Sequence, residues 1–214
     1  MQNIGGIEKQ ARPLPLIILA DTSTSMQDHG KISSLNQALA ALVQDLQSDD
    51  QTKDSVLLSL ITFDSTVKEV IALAPIKSAQ LPKLTANGST CMGEAFRVAL
   101  SELADPQRLP TRCLLPVIVL ATDGQPQDDW RTTLNDLKTH NRVGNALRLA
   151  LAIGPDADIK MLETYVSSEY PVLKADEPEK IKTFFKFVTY ASKTIFKSGG
   201  KNRQAQSVPG DLLP

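Results

Sequence analysis

Five side chains offer this sequence a chemistry: Asp21, Ser23, Ser25, Thr90 and Asp123. The first three form a D-x-S-x-S pattern directly after the apolar run Leu16–Ala20. Asp123 follows a second apolar run, in LLPVIVLATDG, and Thr90 lies in Asn87-Gly88-Ser89-Thr90 just ahead of a helical stretch. All the donors are oxygens, with no thiol or imidazole among them. Hard donors of this kind suit Mg²⁺, Mn²⁺ or Ca²⁺ and disfavour zinc or copper. Only Asp21 and Asp123 carry charge. Magnesium takes six oxygens at about 2.0–2.1 Å, so alcohols and water leave its charge poorly neutralised and a coordination position open. A carboxylate from another protein could fill that position. A site so poor in anionic ligands is suited to binding an acidic partner rather than caging an ion.

The five residues can act together only if the chain brings two strand ends side by side. Leu14–Ala20 is a nearly continuous apolar run, as in a strand buried on both faces. Ser33–Leu46 has helical spacing, with Leu35, Leu39, Leu42, Val43 and Leu46 along one side. Ser55–Phe63 reads as a strand, and Val67–Ala72 returns from it through Asp64-Ser65-Thr66 as a hairpin. Pro75–Leu84 is a mixed connector. A helix over Gly93–Leu103, a strand over Leu114–Ala121 and a helix over Asp129–His140 with Trp130, Leu134 and Leu137 inward follow. Then come a strand over Ala146–Ile153, a short helix over Ile159–Tyr165, a short strand over Tyr170–Leu173 and an amphipathic helix over Pro178–Phe196 with proline in its first turn. This alternation predicts an α/β fold: a doubly wound, mostly parallel six-stranded sheet with one antiparallel edge strand and helices on both faces. Ligands of such sheets sit beyond the carboxyl ends of the strands where the winding reverses. Both Asp21 and Asp123 are expected at strand ends.

Composition bounds the function. The 214 residues suit one domain with short flanks, and an apolar content of 42% allows a sizeable core. Residues 1–12 read as a polar leader, 13–197 as the domain and 198–214 as a loose tail. The net charge of −1 gives no electrostatic case for nucleic acid or anionic membranes. No run is long enough for a membrane span, and the N-terminus lacks a secretory pattern, so a cytoplasmic location is expected. Cys91 and Cys113 lack metal or redox spacing and are expected to be buried free thiols.

The arrangement resembles the von Willebrand factor type A (vWA) family and its metal-ion-dependent adhesion site. The family pattern is D-x-S-x-S, a distant Thr and a distant Asp, matched here by Asp21, Ser23, Ser25, Thr90 and Asp123. Thr24 stands where a glycine is more usual. The short layout around LADTSTSM and LATDGQP looks most similar to stand-alone bacterial tellurium-resistance (TerY-like) proteins. The resemblance implies a divalent ion, Mg²⁺ or alternatively Mn²⁺ or Ca²⁺, that binds a partner's Asp or Glu. It also implies a bacterial stress-response or phosphorylation-signalling setting, with a kinase or phosphatase encoded nearby as a candidate partner, and no enzymatic activity of its own.

Plainer readings compete. Asp21, Ser23 and Ser25 could form a helix-capping turn, and Thr90 could be an N-cap with Glu94 as its capping-box partner. Asp123-Gly124 could be a simple turn. Asp28, Asp64 and Gln125 are candidates for the rim that a partner touches, with His29, Asp128 and Asp129 nearby, although solvated loop residues read the same way. Phe184, Phe185 and Phe187 are expected in the core, and the lysines of the last helix on its solvated side. An enzyme with Asp21 as phosphoryl-accepting nucleophile is the rival function. Ser23 then stands where such enzymes want a second acid. Neither a phosphate-binding P-loop nor a G-x-S-x-G elbow is present.

Overall fold

The computed structural model describes residues 12–200 and Gly210. Residues 1–11 of the expected leader, and the expected tail beyond 200 apart from Gly210, lie outside the described residues. The elements run β1 (Leu14–Asp21), α1 (Lys31–Gln47), β2 (Val56–Phe63), β3 (Val67–Pro75), α2 (Met92–Ala104), β4 (Val117–Thr122), α3 (Trp130–Thr139), β5 (Leu147–Ile153), α4 (Ile159–Tyr165), β6 (Leu173–Ala175) and α5 (Pro178–Lys197). A 3₁₀ turn over Thr24–Gly30 joins β1 to α1, and a second covers Ile76–Ser78 inside the mixed connector.

The six strands form one sheet in the order β3-β2-β1-β4-β5-β6. All neighbouring pairs are parallel except β2 with β3. β3 is therefore the antiparallel edge strand that the hairpin predicts. β1 is buried along its whole length, and its side chains divide by parity. Leu14, Leu16, Ile18 and Ala20 join the core under α1 and α5, whereas Ile17 and Leu19 join the core under α2, α3 and α4. Two apolar layers on one sheet explain why the central strands read as continuous apolar runs rather than alternating ones.

Several boundaries depart from expectation for backbone reasons. The strand expected over Leu114–Ala121 begins at Val117 instead. Pro116 has no N–H to give the ladder, and pairing starts with Val117 opposite Leu16. The last strand lies at Leu173–Ala175 rather than Tyr170–Leu173, because Tyr170 closes a turn onto the Ser167 carbonyl at 3.0 Å and Pro171 follows. β3 continues past Ala72 to Pro75, with irregular register against β2 between Leu58 and Ile61. Trp130 is only half-buried, its ring lying under the Arg131 guanidinium at 4.5 Å. Both cysteines are free, but each is half-buried rather than buried. Phe184, Phe185 and Phe187 do pack into the core.

The winding reverses between β1 and β4. The chain passes from β1 through α1 to β2 on one side and resumes with β4 on the other, leaving their carboxyl ends adjacent.

Candidate metal centre

Asp21 is the last residue of β1, paired across the sheet with Phe63, and Asp123 follows immediately after β4. Ala20 stands opposite Ala121 in the register, which puts Asp21 level with Thr122 and Asp123 one residue further on. Both acids are almost completely buried.

Between them runs a chain of hydrogen bonds through Ser23 and Ser25. Asp21 Oδ1 accepts the Ser23 backbone N–H at 2.8 Å. Ser23 Oγ and Ser25 Oγ lie 3.1 Å apart in hydrogen-bond contact. Ser25 Oγ donates to Asp123 Oδ1 at 2.7 Å. Asp21 Oδ2 is held by the Thr122 hydroxyl at 2.5 Å. Ser25 is exposed, so the cluster opens to solvent on that side.

Thr90 reaches the same place from a different loop. The 3₁₀ turn and the Thr90 loop are tied together by Asn87 N–H to the Thr22 carbonyl at 2.7 Å and Thr24 N–H to the Gly88 carbonyl at 3.0 Å. Thr24 also donates its hydroxyl to that carbonyl at 3.1 Å. The position takes no left-handed backbone, so glycine is not required there, and the threonine adds a tether. Thr90 does not cap α2. The N-cap is Cys91, without a side-chain bond, and the first-turn N–H groups of Gly93 and Glu94 are taken by the Asp128 carboxylate at 2.8 and 2.9 Å. Thr90 is buried as a residue, and its hydroxyl makes no hydrogen bond among the described residues. Gly124 marks how close these donors come: a methyl group on it would sit 3.2 Å from Thr90 Oγ1 and 3.7 Å from Asp21 Oδ2.

The expected rim residues are placed differently. Asp28 and Gln125 are exposed. Asp64 is half-buried and folds its carboxylate onto the Thr66 N–H and hydroxyl at 2.8 and 3.0 Å, closing its own turn. Asp129 caps its own helix through the Thr132 N–H. His29 is exposed with φ 52°, at the kink before α1.

Three contributors escape sequence reading. Thr122 orients Asp21, Asp128 caps α2 from a loop 35 residues away, and Lys31 Nζ bonds Asp123 Oδ2 at 2.7 Å. The first two had weak signals, a hydroxyl beside Asp123 and an aspartate before a helix. Lys31 had none, since a lone lysine at a helix start reads as solvated.

The electrostatics call for a cation. Burial pushes the Asp21 carboxyl up to about 6, and the nearby charge of Asp123 adds to the rise against the hydrogen bonds from Ser23 and Thr122. Among the described residues, no group of three or more His, Cys, Asp or Glu side chains is arranged to hold a metal. The cluster has two carboxylates, and its remaining donors are alcohols. Buried acidic oxygens, an unpartnered hydroxyl and a glycine-lined approach fit a hard divalent ion short of anionic donors.

The family model for the von Willebrand factor type A domain matches residues 16–197. The chain belongs to this family. Domains of the family are mostly interaction modules. Solved structures agree on the fold. The vWA sheet here superposes on the pilus adhesin SpaC from Lactobacillus rhamnosus GG with a TM-score of 0.71 at 15% identity, covering 89% of this chain and 31% of that one. Proximal thread matrix protein 1 from the mussel byssus, with a zinc-occupied metal-ion-dependent adhesion motif, gives 0.66 at 16% identity over 84% of this chain and 48% of that one. The ArnB paralog VWA2 from Sulfolobus acidocaldarius gives 0.62 at 16% identity over 85% and 45%. This chain thus spans less than half the length of each of these structures. No curated protein matches it. No helix among the described residues is long and apolar enough to cross a membrane.

Proposed function

We propose that this vWA domain is a divalent-metal-dependent protein-binding module, with Asp21, Ser23, Ser25, Thr90 and Asp123 as its metal-holding residues. The observation that carries this reading is the hydrogen-bonded run from Asp21 through Ser23 and Ser25 to Asp123, with the Thr90 hydroxyl and Asp21 both close to Gly124. When bound, a divalent ion supplies an open coordination position to which a partner's Asp or Glu can bond. Thr122 and the Ser23 N–H hold Asp21 in place, and the tethers between the two loops keep Ser23 and Thr90 in register. Asp28 and Gln125, both exposed, and the half-buried Asp64 are taken as the rim that a partner meets.

Mg²⁺ is the first ion to test, then Mn²⁺ and Ca²⁺. Zinc joins the panel because the mussel thread protein carries it in its motif. The module itself is taken as residues 13–197. Its setting is a cytoplasmic bacterial stress-response system of the tellurium-resistance type or a phosphorylation pathway, with a kinase or phosphatase as partner.

The test is a pull-down from the native cell with and without chelator, using wild type and Asp21→Ala. A partner released by chelator and absent from the variant supports the reading. A partner retained in both conditions overturns it. Metal-dependent turnover of a generic phosphate ester, lost in Asp21→Asn, would replace it with the enzymatic alternative.

A further inference from the structure

Lys31 occupies an unfavourable place for a lysine. It is the first residue of α1, where the helix dipole disfavours cations, and the first turn holds no acidic residue to offset it. Its ammonium is nevertheless turned inward. Nζ lies 2.7 Å from Asp123 Oδ2, with the two side chains 12% and 0% exposed, and 3.4 Å from the Ser25 carbonyl oxygen. The stem passes over Gly154 at the end of β5, where φ is 75°. A methyl group on Gly154 would approach Lys31 Cε to 3.3 Å and Nζ to 3.4 Å. Lys31 thus reaches from the start of α1 to the turn after β4 and lies against the turn after β5.

Other acids were within the lysine's neighbourhood. Asp28, Asp156, Asp176 and Glu177 line a cavity that Lys31 also lines. None of them forms an ion pair with it. A lysine at the wrong end of a helix, passing four carboxylates to bond a fifth in the candidate metal centre, breaks a local rule where function is expected.

We propose that Lys31 sets the charge of this centre. By pairing with Asp123 it neutralises part of the anionic donor set, which weakens the hold on a bare divalent ion and leaves more of the ion's charge for an incoming carboxylate. Interactions between charges in a buried site remain strong beyond direct contact, so one ammonium bonded to a ligand oxygen is felt by anything bound there. The lysine thereby exchanges metal affinity for partner affinity. This inference rests on the metal-bridge reading above.

The experiment titrates Mn²⁺ into wild type, Lys31→Met and Lys31→Gln by calorimetry. Acetate is then titrated into each Mn²⁺-saturated protein, with water-proton relaxation as the readout. Lys193→Met, which removes the same charge from a lysine of α5 paired with Asp49 beyond the end of α1, controls for net charge. Lys31→Met is expected to bind Mn²⁺ roughly tenfold more tightly and acetate several-fold more weakly than wild type. Lys31→Gln should follow it and carries the test if the methionine variant does not fold. Wild-type metal binding with no tightening in the Lys31 variants overturns this inference alone, as does tightening without weaker acetate binding or an equal shift in Lys193→Met. Absence of Mn²⁺ binding in wild type and variants alike overturns the metal-bridge reading with it.

Discussion

Two buried acids in this domain have opposite fates. Asp21 ends β1 at the open switch point of the sheet, whereas Glu102 projects from α2 against the edge strand β3. Both are essentially inaccessible, and burial raises the pKa of both carboxyls. Glu102 repairs the backbone. Its Oε1 accepts the Leu73 N–H at 2.6 Å, where the irregular register of β3 breaks the ladder, and the Arg108 guanidinium lies 3.6 Å away. Asp21 also accepts a backbone N–H, from Ser23 at 2.8 Å, but within its own turn and not across a broken ladder. It is held by Ser23 and Thr122 and lies near a second carboxylate, Asp123, with the Thr90 hydroxyl close by at Gly124. A lone buried acid that bridges a break in the sheet and has a guanidinium beside it is structural. One that is itself held in place, next to another acid and an opening to solvent, is arranged for an external cation.

The sharpest way to break this contrast is to remove each acid in turn. Asp21→Ala should abolish Mn²⁺ binding in calorimetry while the circular dichroism spectrum stays native. Glu102→Ala should leave metal binding intact. If both variants lose metal equally, the contrast is void.

Next in size is the pH dependence of the metal-free protein. The folded carboxyl of Asp21 titrates near 6 rather than at its ordinary 3.8, so between those values the folded state holds a proton that the unfolded chain has released. In chelator, this group's contribution to stability should therefore fall as pH rises from about 4 to about 6, by at most ~3 kcal/mol. Urea unfolding of Asp21→Asn should show a flatter slope in that window, and an unchanged slope would refute the assignment.

Glu102→Ala leaves the Leu73 N–H without its acceptor and should lose about 1–3 kcal/mol in the same urea assay at neutral pH. Thr122→Val removes the hydroxyl that holds Asp21 Oδ2. It should weaken Mn²⁺ binding by roughly tenfold with little change in melting temperature, because orienting groups behind a ligand typically matter on that scale. The smallest effect belongs to Thr24→Gly. It deletes one exposed hydrogen bond between the two loops, with a cost of about 0.5 kcal/mol and metal affinity within about threefold. A larger loss would mean that the tether to Gly88 governs the donor geometry.

The central strands, the alternation of elements and the oxygen-only donor set were legible in the sequence, because each is written locally. A strand buried on both faces must be apolar throughout, as Leu14–Ala20 is, and a polar residue ending such a run must lie at a strand tip. Element edges were less legible where the backbone decided them, as at Pro116 and Pro171, whose missing N–H groups delay pairing. The plain capping role available to Thr90 also looked sound in sequence. The structure gives that task to Asp128, because the turn after β4 lies against the start of α2.

The sequence alone determined which residues could serve a cation and that their strands belong in one parallel sheet, since burial pattern and donor chemistry are properties of short segments. Tertiary structure decided which side chains complete the centre. Thr122 meets Asp21 across 101 residues, and Lys31 meets Asp123 across 92. No periodicity or spacing encodes such pairs. They exist because the winding of the sheet reverses between β1 and β4 and brings distant turns to one edge.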